Sequence, residues 1–269
     1  MQGSSGESLS RLTDALGSAI SEGADGATVA DSLFAAADVL RDQPALRRAA
    51  TDPSTPTEAK SALARGLFAQ HLDEKATELV VEAVTMRWAR SGDLAAALEQ
   101  LGVVALVKAA DAAGEGDRLE GELFTFGRAV ADAPALRDAL SDPARSVTDK
   151  QTLVKSLLDG KASAGTVRLA QRAVTGVHLT VTRALDDYSK VAAESRNRLV
   201  ALVRAAHPLE PDEQERLGTV LADQYDRPVH LNVVVDKSLI GGVRVEIGDQ
   251  VIDGTISTRL DDARRRLVG

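Results

Sequence analysis

The chain has 269 residues, of which 44% are hydrophobic, 27% are charged and only 3% are aromatic. Lysine and arginine total 32 against 40 for aspartate and glutamate, so the formal net charge is −8, and a surface of this sign repels nucleic-acid phosphates and anionic lipid. Because the chain has no cysteine, disulfides, thiolate metal sites and cysteine nucleophiles are excluded.

The start of the chain, Met1 to Ser10, is polar and lacks the apolar core of a signal peptide. No stretch approaches the ~20 apolar residues that a membrane-spanning helix needs. The sequence therefore predicts a soluble protein of roughly two domains, with any membrane association made through a partner. A core of leucine, valine and alanine with few aromatic residues favours packed helices over sheets.

A repeat with an offset of 90 residues (134 − 44) runs through the first two thirds of the chain. Pro44-Ala45-Leu46-Arg47 recurs as Pro134-Ala135-Leu136-Arg137. The same offset pairs shorter matches: Leu33-Phe34 with Leu123-Phe124, Asp52-Pro53 with Asp142-Pro143, and Ala83-Val84-Thr85 with Ala173-Val174-Thr175. The general likeness of one Ala/Leu-rich helix to another does not explain the shared prolines. Residues 1–90 and 91–185 are therefore predicted to be two copies of one helical unit.

Helical spacing is visible within the copies. Two sets of apolar residues recur every three or four positions: Leu33, Ala36, Ala37 and Leu40, then Leu79, Ala83 and Met86. Gly92-Asp93 and Gly114-Glu115-Gly116 predict breaks between helices. Each copy is expected to be a bundle of several short helices.

One helix start is predicted in detail in each copy. Thr55 is expected to be the N-cap, with Pro56 at the first helical position and Glu58 completing a capping box. Ser146 is expected to cap the copy of this helix, with Asp149 three residues on.

The pattern changes after about residue 195, and residues 196–269 predict a small α/β domain. Leu199 to Val203 is an apolar run that fits either a strand or the end of a long helix. Pro211 opens a helix whose predicted apolar face is Leu217, Val220, Leu221 and Tyr225. Strict alternation then predicts a strand with Val229, Leu231, Val233 and Val235 on one face and His230, Asn232 and Val234 on the other.

No pattern in the chain predicts catalysis, a cofactor site or a metal site. The four histidines, His71, His178, His207 and His230, lie far apart without the spacing of ligands. The carboxylates are spread along the polar faces of predicted helices, so no acid–base pair can be named. The chain is accordingly predicted not to be an enzyme.

The glycines near the end of the chain allow three interpretations. Gly241-Gly242 follows a strand pattern, but no helix opens there to complete a dinucleotide site. Gly248-Asp249-Gln250 is similar to a turn in biotinyl and lipoyl domains, yet Lys237 precedes a turn of a different kind. The third interpretation is that these glycines form tight turns with positive φ.

Residues 235–248, with the sequence VDKSLIGGVRVEIG, resemble the signature of the delta subunit of bacterial F-type ATP synthases. The mitochondrial relative in this family is the oligomycin sensitivity-conferring protein. The similarity continues through residues 249–256 into an Arg/Leu-rich helix and covers about residues 93–269. The signature residues at the turns are Asp236, Gly241, Gly242, Gly248, Asp249, Asp253 and Gly254.

This resemblance implies a non-catalytic connector in the peripheral stalk (the stator) of a proton-translocating ATP synthase, without a cofactor. The helical bundle at 93–195 would bind the N-terminal helix of the alpha subunit, and 196–269 would meet the b subunit. Residues 1–92 would be an extra copy of the bundle, as in actinobacterial delta subunits. The protein would lie on the cytoplasmic face of the cell membrane as a peripheral part of the complex.

The groove for the alpha subunit is predicted between a helix at about 94–112 and a helix at about 163–176. Its predicted lining residues are Ala105, Ala109, Leu169 and Ala173, apolar anchors being what a helix-in-groove interface needs. The alternative is a helical-repeat scaffold unrelated to ATP synthase, whose C-terminal segment only resembles the signature.

Overall fold

The computed structural model describes residues 1, 3–175, 178, 180–196, 199–239, 241–247 and 250–253. The chain divides into two compact units, Met1–Ala192 and Ala193–Gly269. In the part of the chain that is described, the first unit is helical and the second contains a four-stranded sheet. The predicted fold class, mainly α with a small C-terminal α/β domain, is confirmed.

Eleven helices begin in the first unit, counted over the described residues. They are α1 (Ser4–Ser21), α2 (Gly26–Asp42), α3 (Pro44–Thr51), α4 (Thr57–Phe68), α5 (Glu74–Thr85), α6 (Ser91–Ala112), α7 (Gly116–Asp132), α8 (Pro134–Ser141), α9 (Val147–Leu158), α10 (Ala164–Ala173) and α11 (Val181–Ser195). Among the described helices, none is both long and apolar enough to cross a membrane.

The helices follow the 90-residue offset of the sequence repeat. α2, α3 and α4 begin and end 90 residues before α7, α8 and α9, respectively, and α5 begins 90 residues before α10. We call α1–α5 the first copy and α6–α10 the second copy. The shared prolines explain part of this agreement, because Pro44 and Pro134 each occupy the first turn of α3 or α8, where a missing N–H costs nothing.

Helix α6 is buried on nearly every side, which is rare for a helix of a small bundle. Its buried side chains include Leu94, Ala97, Leu98, Leu101, Val103, Val104, Ala105, Leu106, Val107 and Ala110. A helix that is apolar all round lies inside a core. α6 contacts α1, α2, α3 and α5 of the first copy as well as α7 and α10 of the second, so the two copies share one continuous core.

The position of α6 in the repeat explains this burial. α6 is the counterpart of α1, and α11 begins 90 residues after α6. The helix therefore serves as the first helix of the second copy and as the sixth helix of the first. The predicted boundary between residues 92 and 93 falls inside it.

The second unit has a βαβ start followed by two antiparallel strands. Its elements are β1 (Leu199–Ala205), α12 (Pro211–Tyr225), β2 (Val229–Val235), β3 (Val243–Ile247) and β4 (Gln250–Asp253). The strand order is β2-β1-β3-β4. β1 and β2 are parallel, with α12 as the crossover, whereas β3 pairs antiparallel with both β1 and β4.

The core of this unit lies between α12 and one face of the sheet. Ala201 and Val203 of β1 pack with Leu221 of α12 and with Val245 and Ile247 of β3. The predicted apolar face of β2 is confirmed for Val229, Leu231 and Val233, which join this core. Val235 of the same face is 43% exposed, and Asn232 of the opposite face is buried. The run at Leu199 is strand, which decides between its two interpretations.

Three local predictions were wrong. α4 begins at Thr57 with Pro56, not Thr55, at the N-cap and without a side-chain hydrogen bond. Pro56 has the same place in the repeat as Ser146, the N-cap of α9. Gly92-Asp93 lies in the first turn of α6, and the break comes before it. Val220 is 61% exposed, so it does not belong to the apolar face of α12.

Candidate functional site

A buried charged cluster joins the two copies. Arg172 of α10 donates from Nε to both carboxylate oxygens of Glu99 on α6, at 2.9 and 2.8 Å. Its two Nη atoms donate to the carboxylate of Asp38 on α2, at 2.8 and 2.7 Å. The guanidinium also lies 4.7 Å from the centre of the Phe34 ring, a distance at which a cation is attracted to the ring face.

Tyr188 of α11 completes this cluster by donating its hydroxyl hydrogen to Glu99. The side chains of Arg172 and Glu99 are only 6% and 5% exposed. Charges at this depth are tolerated only when they are paired and hydrogen-bonded. We call these five residues, Phe34, Asp38, Glu99, Arg172 and Tyr188, the Arg172 cluster.

The pKa values in the cluster shift in the directions that keep it paired. Burial opposes the charge of Arg172, but the hydrogen bonds that it donates to Glu99 and Asp38 outweigh burial and raise its pKa. Burial likewise opposes ionisation of Asp38, while the contacts with Arg172 and Arg41 lower its pKa overall. Burial, with the charge of Glu99, raises the pKa of Tyr188, so the hydroxyl remains a donor.

This cluster holds three helices of the first unit together. The guanidinium of Arg172 on α10 is occupied by two carboxylates, which come from α2 and α6. A planar fork of this kind holds its partners in a fixed geometry. The cluster therefore restrains the first copy relative to the second.

A groove of about 770 Å³ opens beside the cluster, between α2 on one side and α9 and α10 on the other. We call it the α10 groove. Six of its lining residues matter below: Asp31, Phe34, Asp38, Val147, Arg168 and Gln171. Arg168 bridges it near one end by pairing with Asp31 at 3.3 Å. Val147, which is 44% exposed, provides an apolar contact surface on the rim.

The four residues predicted from the sequence to line a groove are not among those that line the α10 groove. Ala105 is fully buried in α6, and Leu169 and Ala173 are buried in α10. Ala109 is half-buried. A Cβ added at Gly26 of α2 would lie 2.7 Å from the carbonyl oxygen of Ala105 and 3.2 Å from the Cβ of Ala109. The first copy therefore covers this face of α6.

The signature residues of the second unit form turns where the structure describes them. Asp236 Oδ1 accepts hydrogen bonds from the backbone N–H of Ser238 at 2.9 Å and from its hydroxyl at 2.6 Å. Gly242 has a φ of +81°, which favours glycine, and Gly241 precedes it. Asp253 ends β4. Gly248, Asp249 and Gly254 lie outside the described residues.

Sequence reasoning missed the whole Arg172 cluster. Arg172 is 73 residues from Glu99 and 134 residues from Asp38 along the chain. A signal for it was present, because residues 94–107 form an apolar run interrupted only by Glu99 and Gln100. A lone acid in a run destined for the core needs a buried cation as its partner.

Comparison with known proteins gives consistent similarities. The profile of the family described as ATP synthase delta (OSCP) subunit matches residues 103–267. A protein of Nocardioides sp. named ATP synthase subunit delta is 49% identical over 269 residues, covering 100% of this chain and 98% of the relative. A protein of the same name from Kineococcus radiotolerans is 45% identical, covering 92% of this chain and 90% of the relative.

The similarity to these relatives includes the first copy, which lies outside the family profile. A chain in a cryo-EM structure of the Toxoplasma gondii mitochondrial ATP synthase hexamer also aligns, with a TM-score of 0.35 and 19% identity over 62% of this chain and 95% of that one. That similarity is too low to support any argument about this chain.

Proposed function

The chain belongs to the ATP synthase delta (OSCP) subunit family, and we propose that it is a non-catalytic connector of the peripheral stalk. The observation that carries the proposal is the full-length similarity to relatives named ATP synthase subunit delta, at 49% and 45% identity. In this role the chain links the alpha/beta catalytic head to the membrane-anchored b subunit. The complex as a whole couples proton movement to ATP synthesis.

The structure suits a part that transmits force. The head of a rotary enzyme turns with its rotor unless a stator resists the torque, so the connector must not bend between its attachment points. A single core built around α6 and held by Arg172, which is buried and paired with two carboxylates, supports stiffness in the first unit. Close-packed interiors transmit strain because they have low compressibility.

The α10 groove is the proposed site for the N-terminal helix of the alpha subunit. Ala105, Leu169 and Ala173 are buried and do not line the groove, so they are not the residues that would contact the partner. Contact is instead expected at Val147, Arg168 and the other exposed groove residues. An amphipathic helix lays its apolar side into a groove of this kind, with polar contacts at the edges.

The second unit is the proposed attachment for the b subunit. The carrying observation is the family profile, which extends through this unit to residue 267. This assignment puts the two partners on different units of one chain, as a connector requires. It also places the protein at the cytoplasmic face of the cell membrane, held there by its partners.

The groove is tested by calorimetric titration of the purified chain with a synthetic peptide of the alpha subunit N-terminus. Val147→Asp puts a charge where an apolar anchor would sit, and Arg168→Glu reverses a rim charge. Each is expected to weaken binding by roughly tenfold or more, which corresponds to about 1.4 kcal/mol. Val39→Asp is the matched control, because Val39 is 38% exposed on α2 outside the groove, and its affinity should equal that of the unmodified chain. Unchanged affinity in both groove variants would rule out this site.

A further inference from the structure

Helices α5 and α10 are counterparts in the repeat, and they present the same face with opposite charge. The 90-residue offset matches Glu78 with Arg168 and Glu82 with Arg172. The same offset matches Val81 with Gln171 and Thr85 with Thr175. Two arginines in one copy thus correspond to two glutamates in the other.

In the second copy α2 covers part of this face, beside the open α10 groove. Helix α2 crosses in front of it and pairs Asp31 with Arg168 at 3.3 Å and Asp38 with Arg172 at 2.7 Å. The two acids are seven residues apart, two turns of helix, and they meet two arginines that are four residues apart. The pairs follow each other in the same order along both helices.

In the first copy the corresponding face borders a groove of about 560 Å³ between α4 and α5. We call it the α5 groove. Its apolar lining consists of Ala69, Leu72 and Val81, and its charged lining consists of Arg65, Glu74, Glu78 and Glu82. Lys75 pairs with Glu78 at 3.1 Å, but both side chains are well exposed, and a surface pair of this kind is weak enough to exchange partners.

We propose that the α5 groove binds an amphipathic helix of a partner protein that carries two lysines or arginines seven residues apart. The model for this contact is the pairing of α2 with α10, in which two acids on α2 meet two arginines on α10. In the α5 groove the signs are reversed, so the acids are on α5 and the basic residues on the partner. The first basic residue would meet Glu78 and the second would meet Glu82, with the helix running in the direction of α5. Apolar side chains between them would contact Leu72 and Ala69.

Charge and shape argue against other occupants. A groove with three acids and one arginine in its lining repels nucleic acid and anionic membranes. The counterpart of α2 in a second copy of this chain is α7. α7 has Gly121 in place of Asp31 and only Arg128 in place of Asp38, and Arg128 already pairs with Asp132 at 3.3 Å. α7 therefore lacks the two basic residues that the groove requires. Helix α11 does carry Arg183 and Lys190 seven residues apart, so the crosslinking experiment below is also the test that separates a partner protein from a second copy.

The test is site-specific photocrosslinking in the assembled complex, recovered through a tag on this chain. A photoreactive benzoylphenylalanine replaces Thr85, which lines the groove, and the crosslinked peptide is identified by mass spectrometry. We expect one helical segment of a partner with lysine or arginine at two positions seven residues apart. The double variant Glu78→Lys/Glu82→Lys is expected to reduce the crosslink yield roughly tenfold or more, since like charges at an interface cost several kcal/mol.

The matched control reverses two acids elsewhere in the first copy, Glu7→Lys/Asp14→Lys, which are exposed on α1 and also seven residues apart. Its crosslink yield should match that of the unmodified chain. A crosslink to a segment without the basic pair, to a second copy of this chain, or to nothing would overturn the proposal. The inference rests on the proposed function, because the partner is sought within the ATP synthase complex. Recovery of the alpha and b subunits without the crosslink would therefore count against the α5 groove alone.

Discussion

Helices α5 and α10 have the same place in the two copies of the repeat. The difference between them shows how the two copies are held together. Both bury their inner faces in the common core. On the outer face α10 has Arg172, which reaches across to α2, whereas α5 has Glu82 at a groove rim. The copies share the core around α6, and the contact of Arg172 with α2 is a second connection between them.

The comparison is tested most strongly by replacing the counterpart side chains of Arg172 and Glu82 one at a time. Arg172→Met leaves the carboxylate of Glu99 buried without its cation, and breaking a buried pair in this way costs about 3–5 kcal/mol. Glu82→Met is the matched control at the solvent-facing counterpart and should change stability by no more than about 0.5 kcal/mol. Urea unfolding followed by circular dichroism measures both. Equal effects would mean that Arg172 does not hold the copies together.

A second comparison uses glycines in two helices. A Cβ at Gly102 of α6 would lie 2.5 Å from the buried ring of Phe34, while a Cβ at Gly66 of α4 would meet nothing within 4 Å. Gly102→Ala should therefore destabilise the protein by about 1–3 kcal/mol through overpacking. Gly66→Ala should stabilise it by roughly 0.5–1 kcal/mol through helix propensity. Thermal unfolding distinguishes them by sign, and a stabilising Gly102→Ala would contradict the close α2–α6 contact.

The helix caps provide a smaller contrast between the copies. Ser146 caps α9 by accepting a hydrogen bond from the N–H of Asp149 at 3.1 Å, whereas its counterpart Pro56 has no cap hydrogen bond. Ser146→Ala should cost about 1 kcal/mol. Pro56→Ala should cost less, because no side-chain bond is lost. Chemical denaturation of the two variants measures the difference in unfolding free energy. A larger loss of stability in Pro56→Ala than in Ser146→Ala would contradict the stabilising role of the Ser146 cap.

The smallest effect concerns pH. The pKa of Asp38 is lowered, because the contacts with Arg172 and Arg41 outweigh burial. A lowered carboxyl pKa stabilises the fold above the ordinary pKa, and this stabilisation is lost as the pH falls through the lowered value. The stability difference between the unmodified chain and Arg172→Met should therefore shrink as the solution is acidified from pH 7 towards pH 3. A difference that grows on acidification would contradict the pairing with Asp38.

The sequence predicted the features that depend on neighbours along the chain. Leu33, Ala36, Ala37 and Leu40 all lie in the core as their spacing indicated, and the Pro-Ala-Leu-Arg segments both open short helices. Gly242 adopts the positive φ that was one of the three interpretations, whereas Gly241 does not. Periodicity and turn chemistry are local, so one chain suffices to detect them.

The features that depend on contacts between copies were not predictable in this way. The repeat indicated where each copy begins, but not that α6 serves both, so Ala105 was expected at an open groove and is instead covered by α2. Arg172 resembled any surface arginine until α2 and α6 were placed beside it. The predicted alpha-subunit groove and the boundary at residue 92 stay predictions. The α10 groove is a surface on which binding of the alpha subunit can be tested.

The most direct test of the connector role is affinity purification of the tagged chain from gently solubilised membranes, with its partners quantified by mass spectrometry. The account predicts that the alpha, beta and b subunits are recovered together at low and moderate salt. It also predicts that Val147→Asp lowers recovery of the alpha and beta subunits while the b subunit remains. Absence of all three with a chain that is folded by circular dichroism would contradict the stator role and favour a helical scaffold with other partners.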